Sequence, residues 1–238
     1  MKAAAFLLFL AASLPAGACA ETGAGSVLFK VQVGGHLLLQ KSRLVPAGVP
    51  QGHEDRGGVL GSTSLLVNTR PHVSYGIGMD IEGNRADIGD QVFGIATIRA
   101  MAQAEFRKSA HSNGGATKTE SYALVGLGWN FNSVGSKVEY LKGGAPVGTA
   151  LELQLENSPA LKIGVGFRGR VTKEGLLLGV EGGWQWNRGS YRMTFSGSPE
   201  RPGRYNLSGL WLALGIGGWI GAAGPELRSF DPGAANIP

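Results

Sequence analysis

Cysteine is almost missing from this chain. The single residue, Cys19, falls in the N-terminal stretch that reads as a cleavable signal, so the mature chain is expected to have none. That rules out disulfides, thiol catalysis and cysteine metal sites. Charge is sparse as well, with 16% charged residues and a formal net charge of +5 over 238 residues. No lysine-arginine run points to nucleic acid, and none is expected as a partner. A mild basic excess suits anionic lipid headgroups better. The four histidines, at 36, 53, 72 and 111, are not at metal-ligand spacing. His53-Glu54-Asp55 reads as a solvated loop and His111-Ser112-Asn113-Gly114-Gly115 as a turn. Gly76-x-Gly78 opens no helix and is no nucleotide loop. No metal and no cofactor is implied.

Helical membrane spans are also wanting. Leu207–Gly224 is uncharged and carries a GxxxG spacing at Gly217 and Gly221, but its glycines weaken a helix and it continues the strand-like series before it. Met1–Ala20 is too short to span a bilayer. Lys2, the apolar core Ala3–Leu14 and the small residues of Ala18-Cys19-Ala20 predict a secretory signal cut before Glu21. A lipoprotein signal would have a bulky aliphatic residue where Ala16 stands.

Glycine is abundant instead: 40 residues, about 17% against a typical 7%. The glycines sit within patterned segments, as a curved, closed sheet requires. From about Gly25 to Gly221 apolar and polar residues alternate. Ala123-Val125-Leu127-Trp129-Phe131 interleaves with Tyr122, Gly126, Gly128 and Asn130, and Leu161-Ile163-Val165-Phe167 with Lys162, Gly164, Gly166 and Arg168. Period two puts one set on each face of a strand. Strands are predicted at Val27–Gln40, Val59–Asn68, His72–Glu82, Val92–Phe106, Thr119–Asn132, Lys137–Leu141, Thr149–Glu156, Leu161–Val171, Leu176–Asn187 and Tyr205–Ile220. Turn residues fill several joints, among them Asn68-Thr69-Arg70-Pro71 and Thr172-Lys173-Glu174-Gly175. Longer polar connections fall at Pro46–Gly57, Glu82–Gln91, Lys108–Lys118 and Ser196–Arg204.

The expected fold is all-β: one closed antiparallel up-and-down transmembrane barrel of eight to ten strands, with ten favoured. It would occupy residues 21–224, between a signal at 1–20 and a tail at 225–238. With a periplasmic N-terminus, the connection Lys108–Lys118 would be a long periplasmic turn, against the usual pattern of short periplasmic turns and longer outer loops. Trp129, Trp184, Trp186, Trp211 and Trp219 are expected at the membrane interfaces, where an indole can be half wet.

The combination resembles the small outer-membrane β-barrel proteins of Gram-negative bacteria, the group that includes the protein A and protein W types. The resemblance covers nearly all of the mature chain. It implies an outer-membrane location, contact with lipids and lipopolysaccharide, and insertion by the barrel-assembly machinery. Many of these proteins end on a strand with a C-terminal aromatic. Here the chain runs on past Ile220, leaving Trp219-Ile220 or Phe230 to serve as that signal.

Two constellations could carry chemistry. If Leu151, Leu153, Leu155, the odd positions of Leu161–Phe167, Trp184 and Trp186 face lipid, then Glu152, Glu156, Lys162, Arg168, Arg170 and Glu181 face a narrow lumen. There they would form an ion-pair plug, or line a path for an ion or small solute. The second is His72-Val73-Ser74 with Glu82. His and Ser two apart share a strand face, and this parity turns them inward with Asp80 and Glu82. The pair loosely resembles the His-x-Ser of outer-membrane lipid A deacylases, which have it late in the chain beside an asparagine; here Tyr75 follows. The leading functional expectation is a non-enzymatic barrel, structural or a narrow porin-like pore with a charged interior. The alternatives are a lipid A-modifying hydrolase of the outer membrane and a secreted soluble β-barrel that binds an apolar ligand.

Overall fold

A computed structural model describes residues 25–40, 43–44, 57–70, 72–88, 91–110, 119–137, 151–172, 176–195 and 200–220. The regular elements among them are ten strands: β1 (Val27–Leu38), β2 (Gly57–Arg70), β3 (Val73–Ile88), β4 (Gln91–Ala110), β5 (Thr119–Lys137), β6 (Leu151–Leu155), β7 (Ser158–Arg170), β8 (Leu176–Phe195), β9 (Arg201–Asn206) and β10 (Gly209–Ile220). Eight of them close a barrel in the order β1-β2-β3-β4-β5-β7-β8-β10, with β10 pairing back onto β1. All the pairings are antiparallel.

β6 and β9 stand outside that ring. Both pair with the far end of β8, β6 against Tyr191–Phe195 and β9 against Arg188–Met193. Each is the upward continuation of a barrel strand, β6 of β7 across Glu156-Asn157 and β9 of β10 across Leu207-Ser208. The stretch Tyr205–Ile220, expected as one strand, is therefore two. Glu82–Gln91, expected as a loop, is instead paired strand up to Ile88↔Gln91. The favoured count of ten holds for the strands in total, while the closed ring has eight. Residues 1–20, the tail 225–238 and most of Lys137–Leu141 lie outside the described residues. The flanks of Lys108–Lys118 leave the barrel at the same rim as the turns Arg70–Val73 and Val171–Leu176.

Following paired residues around the ring gives its geometry. The path runs Val27, Val67, Tyr75, Ala104, Val125, Ile163, Trp184, Leu210 and returns to β1 at Leu37. The stagger is therefore ten residues for eight strands. With ordinary strand spacings this tilts the strands by about 40° and sets a backbone radius of about 8 Å. Such an interior is filled by side chains.

The two faces of the wall change character along each strand. On the outside of β8 come Leu178, Val180, Trp184 and Trp186, then Arg188, Ser190, Arg192 and Thr194; on its inside come Glu181, Gln185 and Asn187, then Tyr191 and Met193. β4 reads the same way. Its inward Arg107, Glu105, Gln103, Arg99 and Thr97 give way to Ile95 and Phe93. Outside β3, Ile77, Met79 and Ile81 give way to Arg85. The register runs unbroken along these stretches of β3, β4 and β8, so the inversion reports a change of solvent. Below the level of Trp186 the exterior is an apolar belt made for hydrocarbon; above it the exterior is polar and the interior apolar, as in a protein in water. Exposed Tyr75, Phe106 and Phe167 edge the belt near the Val27 rim, and Trp129, Phe131 and Trp186 edge it at the other. An exposed apolar band this continuous is far larger than a soluble monomer carries, which removes the secreted soluble reading.

Glycine lets the wall pack this tightly. A Cβ on Gly183 would lie 2.0 Å from the Ile163 carbonyl oxygen and 2.5 Å from Gly164 Cα, all of it backbone. Gly183→Val is expected to abolish the compact, heat-modifiable migration expected of the folded barrel on unheated detergent gels, while Gly57→Val, where a side chain meets open space, keeps it.

Candidate functional site: the charged interior

Among the described residues, inward parity delivers five cations, Lys30, Arg99, Arg107, Lys162 and Arg168, and five acids, Asp80, Glu82, Glu105, Glu120 and Glu181, to the buried interior. Six strands supply them, and they interlock across the lumen in two groups. Near the Val27 rim, Arg168 donates from Nε to Glu120 Oε2 (2.7 Å) and from Nη1 to Glu105 Oε2 (2.8 Å). Lys30 bridges Glu105 and Glu181, with Nζ 2.9 Å from Glu181 Oε2. Glu181 also accepts from the Tyr122 hydroxyl at 2.8 Å and from Gln32 at 3.2 Å. Arg107 donates to Asn68 and lies 4.0 Å from Glu120.

The second group sits nearer mid-barrel. Arg99 donates from Nη1 to Asp80 (3.0 Å), Glu82 and Gln185 (3.0 Å), and from Nε to Asn130 (2.9 Å). Lys162 Nζ lies 3.0 Å from Asp80 Oδ2. His36 Nδ1 is 4.0 Å from Glu82. Aromatic faces take up cation surface that carboxylates leave: Lys162 lies 4.0 Å from the Trp211 ring centroid, Arg107 4.7 Å from Trp219, and Arg168 4.6 Å from Tyr122.

A neutral polar layer lies above the charges. Thr97 donates to Asn132 (2.8 Å), Asn132 Nδ2 donates to the Tyr205 hydroxyl (2.7 Å), and Tyr205 donates to the Glu156 carbonyl (2.8 Å). Higher still an apolar cluster fills the mouth, including Leu38, Phe93, Ile95, Leu155, Tyr191 and Met193.

Of the lumen residues expected from sequence, Lys162, Arg168 and Glu181 are in the network. Glu152 and Glu156 are not. Glu152 is exposed and accepts from Gln154 at 2.8 Å; Glu156 faces outward 3.5 Å from Arg192. β6 and the Glu156 that follows it lie above the lipid level, where leucines belong inside and acids in water, so Leu153 and Leu155 point in and Glu152 out. Arg170 is half-buried at the Val27 rim. Trp129 and Trp186 face outward, and Trp184 stands half-buried edge-on to Trp186 with ring centroids 5.9 Å apart. Trp211 and Trp219 do not reach the interface. They point inward at 3% and 6% exposure, because on β10 the outward positions are held by Leu210, Leu212 and Leu214.

His72, Ser74 and Glu82 do not form a cluster. His72 is exposed in a turn, Ser74 is buried near that rim, and Glu82 is eight residues further along β3, about 26 Å away. Sequence reading passed over Lys30, Arg99, Glu105, Arg107 and Glu120 as members of the network. The signal was there: a lone charge between outward-facing apolar neighbours, as Arg99 stands between Ile98 and Ala100.

No family model and no curated protein matches the sequence. Among solved structures, the chain is similar to the outer membrane protein OprG from Pseudomonas aeruginosa, at 10% identity over 84% of this chain and 97% of that one, with a TM-score of 0.60. The fold is that of a small outer-membrane β-barrel. Looser matches to the same kind of barrel are AlkL, solved in lipid bilayers (12% identity, 87% and 96% covered, TM-score 0.47), and Neisserial surface protein A (13%, 82% and 97%, 0.45).

A barrel built around paired charges has a clear energetic signature. Lys30→Met leaves Glu105 and Glu181 short of a buried partner and is expected to cost about 3–5 kcal/mol. Lys30→Met with Glu181→Gln removes one charge of each sign and should recover most of that loss. Urea unfolding of the two variants in micelles measures the difference; equal losses would rule out the pairing.

Proposed function

We propose that the protein resides in the outer membrane, with the Val27 rim in the periplasm, as a closed, non-enzymatic structural barrel. The predicted export signal, the apolar belt and two short turns at the Val27 rim, Arg70–Val73 and Val171–Leu176, support that placement, while the connection between Ala110 and Thr119 at the same rim is longer. The observation that carries closure is the interlocked set of five buried cations and five buried acids spanning the lumen. A hydrated ion would have to part these pairs, and each charge left alone in a dry lumen is costly. The free space beside Lys30, Gln32, Tyr122 and Arg168 is about 20 Å³, room for one water. A hydrolase reading has no support from His72, Ser74 and Glu82, which the fold keeps apart.

The purified protein in planar bilayers is expected to show no conductance steps. The pair Lys30→Ala and Arg168→Ala strips both counter-cations from Glu105 and should open a cation-selective leak. Steps in the unaltered protein would overturn the closed reading in favour of a narrow pore.

A further inference from the structure

We propose that the cleft between Arg43, Arg188 and Arg204 is a binding site for a phosphate group of an outer-leaflet glycolipid. The inference rests on the outer-membrane placement and deepens it. The cleft has a volume of about 460 Å³ and opens on the outer surface, above Trp186. Its described lining holds three arginines and no acid; the polar remainder includes Gln40, Ser190 and Asn206. Other outward charges nearby are compensated, since Arg192 stands 3.5 Å from Glu156 and 3.7 Å from Glu200. Three guanidinium groups lining one cleft with no carboxylate among the described residues there repel one another unless an anion joins them. Phosphate oxygens match their forked donors, and a phosphate has oxygens enough to accept from all three where a carboxylate has two.

Two further observations show a prepared site. Arg188 is held in place: it lies 4.6 Å from the Trp186 ring centroid and donates from Nε to Asn206 Oδ1 at 2.9 Å, while Asn206 donates to Gln40 at 3.2 Å. This directs the group through one nitrogen and leaves both Nη groups without a partner among the described residues. Arg43 has a φ of 60°, a left-handed conformation that L residues adopt only at a cost and that collects at ligand sites.

Position selects the source of the phosphate. Arg188 is the first outward residue of β8 beyond the apolar belt. Beneath the cleft, the outward faces of β1 and β10 present exposed Leu37, Leu39, Leu210 and Leu212 beside Trp186. A bisphosphorylated acyl-glucosamine lipid in the outer leaflet would lay its chains on these leucines and lift a phosphate to the arginines. A soluble phosphate gains nothing from them.

The test uses the full chain in detergent micelles and native mass spectrometry of retained lipid. Bisphosphorylated lipid A should stay bound, and lipid A stripped of its phosphates should be retained about tenfold less. The triple variant Arg43→Gln, Arg188→Gln, Arg204→Gln should lose the phosphorylated lipid to the same degree at an unchanged melting temperature, whereas Arg192→Gln should not. Equal retention by the triple variant, or inorganic phosphate binding as tightly as the lipid, would overturn the assignment. Cell fractionation without detergent separates the two layers of inference: recovery in the soluble fraction defeats the membrane placement, whereas membrane recovery with unselective lipid retention defeats the cleft alone.

Discussion

Hydrocarbon offers a peptide group no hydrogen bond, and the rest of this molecule follows from that. A strand in lipid must be paired on both edges, so the sheet has to close on itself. Eight strands staggered by ten residues close it at a radius of about 8 Å, too narrow for bulk water. Any charge that parity turns inward then sits in a dry space and needs a counter-charge. The balance of five against five among the described residues is the outcome, and its members come from strands far apart in sequence, as Lys30 and Glu181 show.

A greasier interior would be the more stable one by the usual reckoning, since buried ion pairs seldom outdo well-packed apolar side chains. Alternation serves a different end. Strands apolar on both faces would give long uninterrupted hydrophobic runs of the kind that insert as helices. Here polar and glycine positions hold the mean hydropathy of the whole chain at +0.03. The paired charges also tie the strands to one register. A one-residue slip would turn Arg99, Asp80 and Glu82 toward lipid and Ile98, Met79 and Ile81 toward each other.

That parity made the fold legible before any coordinates. The strand series and outward leucines follow from period two, closure follows from that pattern together with the export signal and the abundant glycine, and parity locates Lys162, Arg168 and Glu181. It failed where the solvent changed. With lipid outside every strand, alternation gives Leu151, Leu153 and Leu155 to lipid and Glu152 and Glu156 to the lumen. On β6 the outside is water, and the same alternation carries the opposite meaning. Nothing within those five residues announces which solvent surrounds them. β8 could have shown it, because Trp186 is followed on the same face by Arg188, Ser190 and Arg192. The partners of a charge were harder still to read. Arg99 meets Gln185 from 86 residues away, and that approach depends on how the ring closes.

The two inward tryptophans show why a residue's usual habitat is a weaker guide than its parity. Trp129 and Trp186 sit where an indole is expected, at the edge of the lipid. Trp211 and Trp219 share their strand with three outward leucines and take the inner positions. There each ring lies against a cation: Trp211 against Lys162, and Trp219 against Arg107 and, at 5.6 Å, Arg168. A carboxylate satisfies a guanidinium along its edge, and a ring satisfies it across its face, with no second buried charge introduced. The two tryptophans therefore belong to the charge compensation of the lumen. Ten charges fit one narrow barrel because carboxylates are not asked to surround every cation alone.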